Sequence, residues 1–304
     1  MWLLAVLVSL SLAEGPAVSW DPGPTLSVRT ADGWETWWRG ENAPVRWTAP
    51  LPAVAQRVAW RRAARGLEWG ELTLSGEGEA YRVRLIVVRV EPRALAFELI
   101  KPPDGPVFSG RWEIAEAPAD AVLALNAGQF TDQPWGWLVL DGTERQGPGR
   151  GPLAPAVVLD SAGAMRIVPP DSIENARRGA RLAFQSYPTL LERDGEIPFA
   201  LLADSLGVNR SHRDARLALG ELRDGRILIA MTRFEGLGGV LANLPFGLTT
   251  PEMAAVMGAL GSRKAVLLDG GISCQLMIRE GAQAHTWPGW RRVPLGLVAV
   301  ARPN

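Results

Sequence analysis

The sequence predicts an α+β protein, a sheet-dominated mixed β-sheet core with a few flanking helices. Three observations carry that expectation. Short β-rich segments separated by Gly, Pro and acidic turns fill most of the chain from Glu71 onward. One segment beginning near Thr250 has apolar residues at helical spacing with signals at both ends. Over 304 residues, a 47% hydrophobic content is enough for one substantial core.

The elements follow in chain order. Residues 1–13 form an apolar run ending in Ser11-Leu12-Ala13, a small-x-small pattern that fits signal-peptide cleavage. The run carries no Lys or Arg, so an apolar first strand stays open as the alternative. It is too short to span a bilayer, and no other segment approaches the roughly 20 apolar residues a span requires. The expectation is export to the periplasm or beyond, with no stable membrane span. Residues 14–65, rich in Pro and in Trp (Trp20, Trp34, Trp37, Trp38, Trp47, Trp60), show no sustained period and read as a linker with an irregular lead-in. Those indoles supply core area more readily than sugar platforms. Arg57, Arg61, Arg62 and Arg65 read as a solvated face.

Residues 66–304 form the main domain. Leu72 to Leu74, Tyr81 to Val90, Leu95 to Ile100, Ala121 to Leu125, Trp137 to Leu140, Ala156 to Leu159 and Met165 to Val168 read as strands. Leu217 to Leu222 and Ile227 to Met231 flank Arg223-Asp224-Gly225-Arg226, where Asp-Gly favours the positive φ of a tight turn. A short helix is expected from Asp171 or Ser172 to Arg178. A clearer one has Thr250 as cap, Pro251 at its first position, Met253, Val256, Met257 and Leu260 on one face, and Gly261 as its stop. Ala265 to Leu268 then reads as a buried strand running into Asp269-Gly270-Gly271.

Charge excludes some functions. Lys plus Arg and Asp plus Glu both total 32, so no net field draws the chain to nucleic acid or to an anionic membrane. Any anion must be held by a local site. The single cysteine, Cys274, forbids an intrachain disulfide framework.

Three segments carry chemistry. Asn126-Ala127-Gly128 puts an amide at a strand end with small residues after it, suited to sugar hydroxyls or to satisfying its own turn. Arg216 begins an apolar strand and needs a partner; a phosphate fits its planar fork, and so does an internal carboxylate. Alternation places His212, Asp214 and Arg216 on one side of an extended chain. Asp269, Gly270 and Gly271 bring a carboxylate together with backbone N–H groups that can face an anion, or make only a turn. Glu235 lies in the Gly-rich stretch 233–239, a candidate flap.

Taken in order, these segments resemble the phosphodiester glycosidase family. Its Asn-Gly-Gly-Phe-Phe is similar to Asn126-Ala127-Gly128-Gln129-Phe130, and its Pro-x-Leu stretch ending in Asp-Gly to Pro188-Thr189-Leu190-Leu191-Glu192-Arg193-Asp194-Gly195. Its Arg-Thr-Ala-Ile-Gly strand resembles Arg216 to Gly220, its Gly-Leu-Thr-x-x-Glu helix start Gly247 to Glu252, and its Leu-Asp-Gly-Gly-Gly-Ser signature Leu268 to Ser273. Ala127, Gln129, Ile272 and Cys274 depart from the pattern.

The resemblance implies hydrolysis of a glycosyl-1-phosphodiester in a cell-envelope glycan or exopolysaccharide. On that reading Arg216 clamps phosphate, Asp269 acts at the anomeric carbon, and Asn126 meets sugar hydroxyls. The Gly270 and Gly271 amides face developing charge, with Glu235 as a further carboxylate and Gly128, His212 and Ser273 in the binding surface. The partner is a glycan or sugar phosphate and no cofactor is implied; Asp269, Asp141 or Asn126 oxygens are compatible with a divalent cation, but nothing in their spacing demands one. Two alternatives belong to other classes. One is a non-catalytic carbohydrate-binding envelope protein; the other is a Cys/His hydrolase using Cys274 with His212 or His285.

Overall fold

The computed structural model describes residues 24–76, 82–100, 111–202, 208–235, 244 and 246–302. The expectations for residues 1–13, for Tyr81 and for the glycines at 236, 238 and 239 fall outside them. Strands dominate, in three sheets. The largest, of nine strands, runs Thr189–Leu191, Ser262–Leu267, Leu217–Leu222, Ile227–Phe234, Arg82–Val90, Leu67–Ser75, Thr25–Thr30, Gly33–Arg39, with Arg61–Ala64 also paired to Leu67–Ser75. A five-stranded sheet has the order Met165–Val168, Ala156–Asp160, Ala180–Gln185, Leu138–Leu140, Thr143–Gln146. The third, also of five, has the order Gln283–Trp287, Leu276–Glu280, Ala121–Asn126, Gly296–Ala301, Leu95–Ile100.

Every ladder between these strands is antiparallel, which corrects the expected mixed sheet. Parallel neighbours need long crossovers, usually helical. Among the described residues only Thr250–Ala259 is an α-helix of more than four residues. The predicted hairpin forms as read: Glu221 pairs with Ile227, and Gly225 takes φ +86 in the turn.

The large sheet lies between two cores. On one side Val88, Leu219 and Ile229 meet Leu123, Leu125 and Leu297 of the third sheet and Val157 and Phe184 of the second. On the other, Ala218, Leu228 and Ala230 cluster with Met253, Val256 and Met257 of the helix. This second core also takes Leu26, Val28, Trp38, Trp47 and Val54. Within the expected irregular lead-in, Thr25–Thr30, Gly33–Arg39 and Arg61–Ala64 are strands of the large sheet, and the stretch 40–60 between them holds none. No period of two marks these strands, because burial does not alternate along them: Thr25 to Val28 are all buried, and Trp34 to Thr36 are all exposed. Trp47 lies against the helix at Gly258, where a Cβ would stand 2.2 Å from its ring.

The helix starts one residue earlier than predicted. Thr249, not Thr250, is the cap: its hydroxyl accepts from the Glu252 N–H at 3.3 Å, and the Glu252 carboxylate accepts from the Thr249 N–H at 2.9 Å. This reciprocal box satisfies two N–H groups that the first turn leaves unpaired. The fully buried Glu252 also receives a two-pronged ion pair from Arg213, at 2.7 and 2.8 Å, which ties the helix start to the segment entering Leu217–Leu222. Removing one member of a buried pair strands the other charge. Arg213→Ala should therefore destabilise the protein by about 3–5 kcal/mol in urea unfolding near neutral pH.

Candidate active site

Asp269 and Arg216 come from two neighbouring strands of the large sheet. Ser262–Leu267 and Leu217–Leu222 pair side by side, Ala218 opposite Leu267. Beyond the ladder, the Leu268 N–H still donates to the Leu217 carbonyl at 2.8 Å. The chain then leaves the large sheet and crosses to the third sheet through residues 269–275. Asp269 is the first residue of that crossover, and its N–H donates to the Gly128 carbonyl at 2.9 Å.

Asn126 pins the crossover at both ends. Its Nδ2 donates to the Asp269 carbonyl at 2.9 Å and its Oδ1 accepts from the Gln275 N–H at 3.1 Å. With 0% exposure, its amide is consumed internally and does not reach sugar hydroxyls, so Asn126 is a positioning residue. Gly128 plays a similar part: at φ +74, its carbonyl holds Asp269 and a Cβ would stand 3.1 Å from the Gln185 carbonyl oxygen.

A cleft of about 270 Å³ opens over the strand ends, lined by Asp269, Gly270, Arg216, Asp214, His212 and Gln129 among others. Burial pushes the Asp269 carboxyl up to about 6, and the like charge of Asp214 adds to this; the Ser273 hydroxyl, Arg291 and the Gln129 amide oppose it. Gln129 Nε2 donates to Asp269 Oδ1 at 2.9 Å. Burial also raises Asp214, against the pull of Arg216. Asp214 Oδ2 lies 3.7 Å from His212 Nε2.

Among the described residues Arg216 has no ion-pair partner. Its Nε donates to the Leu248 carbonyl at 2.8 Å and its Nη2 to the His212 carbonyl at 2.6 Å. Two carbonyls thus aim the fork and leave Nη1 for an anion. Burial pulls the guanidinium below its usual value, with Asp214 opposing.

Other predicted residues part company with the cleft. The Gly271 N–H donates to the Ala215 carbonyl at 2.8 Å, so it is spent on backbone pairing, whereas Gly270 donates to no backbone acceptor among the described residues and lines the cleft. Gly270 tolerates no side chain, since a Cβ would approach the Ala215 carbonyl oxygen to 2.5 Å. Ser273, 2% exposed, serves Asp269 rather than a ligand. Glu235 stands apart: pairing of Ile227–Phe234 with Arg82–Val90 runs to its end, the Glu235 N–H continues it to the Arg82 carbonyl, and its carboxylate lies 3.5 Å from Arg84.

The Cys/His alternative loses its geometry. Cys274 is fully buried and burial pushes its thiol up to about 11. His285 packs at a tilt against Trp69, with ring centroids 4.6 Å apart, and does not line the cleft. Among the described residues no group of three His, Cys, Asp or Glu side chains gathers to hold a metal.

Asp214, Gln129 and Tyr187 are the site residues not assigned from sequence. Alternation already put Asp214 beside Arg216. Gln129 gave no signal beyond its departure from the family pattern, yet its amide makes a hydrogen bond to Asp269 that the family's Phe has no group to make. Ala127 and Cys274 are buried and absent from the cleft lining, so these two departures alter packing and not the polar groups of the cleft.

Fold and site together define a class: a multi-sheet β frame whose strand ends bring an acid and a guanidinium to one anion-sized cleft. The phosphodiester glycosidase family matches residues 119–300, a range that holds both groups, and the chain belongs to that family. Membership suggests glycosidase activity on phosphodiesters. The zebrafish N-acetylglucosamine-1-phosphodiester alpha-N-acetylglucosaminidase catalytic domain, auto-inhibited by its pro-peptide, has a similar fold, with TM-score 0.62 and 17% identity over 84% of this chain and 87% of that one. A hypothetical protein from Synechocystis has TM-score 0.58 and 14% identity over 91% of this chain and 68% of that one. No curated protein matches by sequence.

Two outcomes follow from the geometry. Asn126→Ala should leave the Asp269 carbonyl and the Gln275 N–H without partners, at roughly 1–3 kcal/mol each in denaturant unfolding. The raised Asp269 carboxyl means that folding holds a proton the unfolded chain releases above its ordinary value of 3.8. Stability is therefore lost as pH rises from there to about 6. Asp269→Asn removes that cost, so its gain in Tm over the native protein should be larger at about pH 7.5 than at about pH 4.5.

Proposed function

We propose that this chain hydrolyses a glycosyl-1-phosphodiester, cutting between the anomeric carbon and the phosphate. One observation carries the reading: Arg216, with an unspent N–H edge, and Asp269, a carboxyl raised to about 6, share one cleft. The phosphate oxygens pair with the Arg216 fork, which two carbonyls hold in orientation before substrate arrives. Asp269, ionised above about pH 6, stabilises positive charge growing on the anomeric carbon or takes a proton from the attacking water. The Gly270 N–H and His212 complete the anion side. Phosphate leaves as a weak base, so the demand for a strong general acid is small.

The substrate class we propose is an envelope or exopolysaccharide glycan met after export. The apolar run at residues 1–13 supports that destination. Among the described residues no helix is long and apolar enough to cross a membrane.

Because the Leu248 and His212 carbonyls both rely on the guanidinium, the informative change at that position is Arg216→Lys, which keeps the charge and loses the fork. It should raise KM for a sugar-1-(p-nitrophenyl phosphate) more than it lowers kcat. Asp269→Asn should bind the same diester and release almost no sugar, and the native kcat/KM should rise with pH up to about 6. Full turnover by Asp269→Asn would overturn the assignment.

A further inference from the structure

A second, wider cavity of about 470 Å³ adjoins the cleft, and Gln129 and Tyr187 line both. Its volume falls within the roughly 300–1,000 Å³ usual for small-molecule sites. Three of its lining residues, Phe130, Trp135 and Tyr187, are aromatic. The two spaces meet at Gln129, whose amide donates to Asp269 Oδ1 at 2.9 Å. The reacting carboxylate therefore stands between an anion-binding side and an aromatic side.

Trp135 is held as a platform. Its indole lies over Gly149, where a Cβ would stand 2.7 Å from the ring. Gly149 is itself fixed by the buried Gln185 side chain, which accepts from its N–H at 2.7 Å and donates to its carbonyl at 3.1 Å. The Trp135 backbone N–H donates to the Gln129 carbonyl at 2.8 Å, which links the residue carrying the platform to the one that touches Asp269. Even so, the residue keeps 37% exposure. A large ring supported from beneath and open above is suited to stacking against the C–H face of a pyranose. Tyr187, with no hydrogen bond among the described residues, offers a hydroxyl to a sugar beside it, and burial raises its pKa so that the proton is retained.

We infer that this aromatic cavity is the glycosyl subsite: a pyranose ring stacks on Trp135, with Tyr187 and Gln129 at its edge and its anomeric carbon toward Asp269. The inference rests on the proposed reaction for the order of groups along the substrate, with phosphate at Arg216, the anomeric carbon at Asp269 and the sugar toward Trp135. It assigns sugar selection to residues 129–135 and 187, and leaves the group beyond the phosphate on the His212 side.

The test uses full-length protein carrying Asp269→Asn, so that no turnover intervenes, and phosphate-free probes: glucose, N-acetylglucosamine and the β-1,4-linked dimer of each, titrated by calorimetry and by saturation-transfer NMR. At least one probe should bind. Adding Trp135→Ala should weaken it about tenfold, the scale of one lost ring contact, while Trp135→Phe retains most of the affinity. A circular-dichroism melt checks that each variant is folded. Unchanged affinity in Trp135→Ala, or no binding of any probe to the Trp135-containing protein, overturns the subsite. Failure of the reaction reads differently, as saccharide binding that depends on Trp135 without release of sugar from any diester by the native protein.

Discussion

The site depends on one buried side chain. Asn126 ends a strand of the third sheet and holds, by its two amide atoms, the carbonyl of Asp269 and the N–H of Gln275. Between those points the chain passes from one sheet to another, a stretch in which backbone groups lose their ladder partners and would be costly to bury unpaired. The Asn126 amide supplies one donor and one acceptor where the crossover lacks both. In doing so it sets how far Asp269 projects from the end of its strand.

Around that clamp, the polar groups of the cleft are oriented by their neighbours. Leu248 and His212 carbonyls aim Arg216, Gln129 and Ser273 stabilise the Asp269 anion, and the Arg213–Glu252 pair fixes the segment carrying Asp214 against the helix start. The glycines have a different task. Side chains at Gly270 or Gly271 would press on the Ala215 carbonyl oxygen or the Asp214 carboxylate, so the signature glycines reflect close approach of two chain segments more than a cradle of free amides.

The balance of charge at Asp269 is the electrostatic counterpart of that packing. Desolvation and a second carboxylate raise it, while the Ser273 hydroxyl, the Arg291 guanidinium and the Gln129 amide pull it back. The outcome is an acid that ionises near the middle of the physiological range, at some cost in stability to the folded chain. Such a cost is common where a group must react.

Local sequence determined a good deal here. Alternation put His212, Asp214 and Arg216 on one side of the chain, Asp-Gly set the 223–226 hairpin, and the end signals near residues 249–261 marked the longest helix among the described residues, because each of these depends on neighbours within a few residues. Tertiary structure alone decided the rest. Asn126, Glu235 and the Gly271 N–H have the right chemistry for a ligand site, and only partners 56 to 151 residues away divert them: Asp269 and Gln275, Arg84, and Ala215. Gln129, Trp135 and Tyr187 gain their meaning in the same way, since a ring or an amide becomes part of a site only when folding brings it beside Asp269. Long-range pairing in an antiparallel multi-sheet protein leaves little trace in a local window, and that is where the sequence stops and the fold takes over.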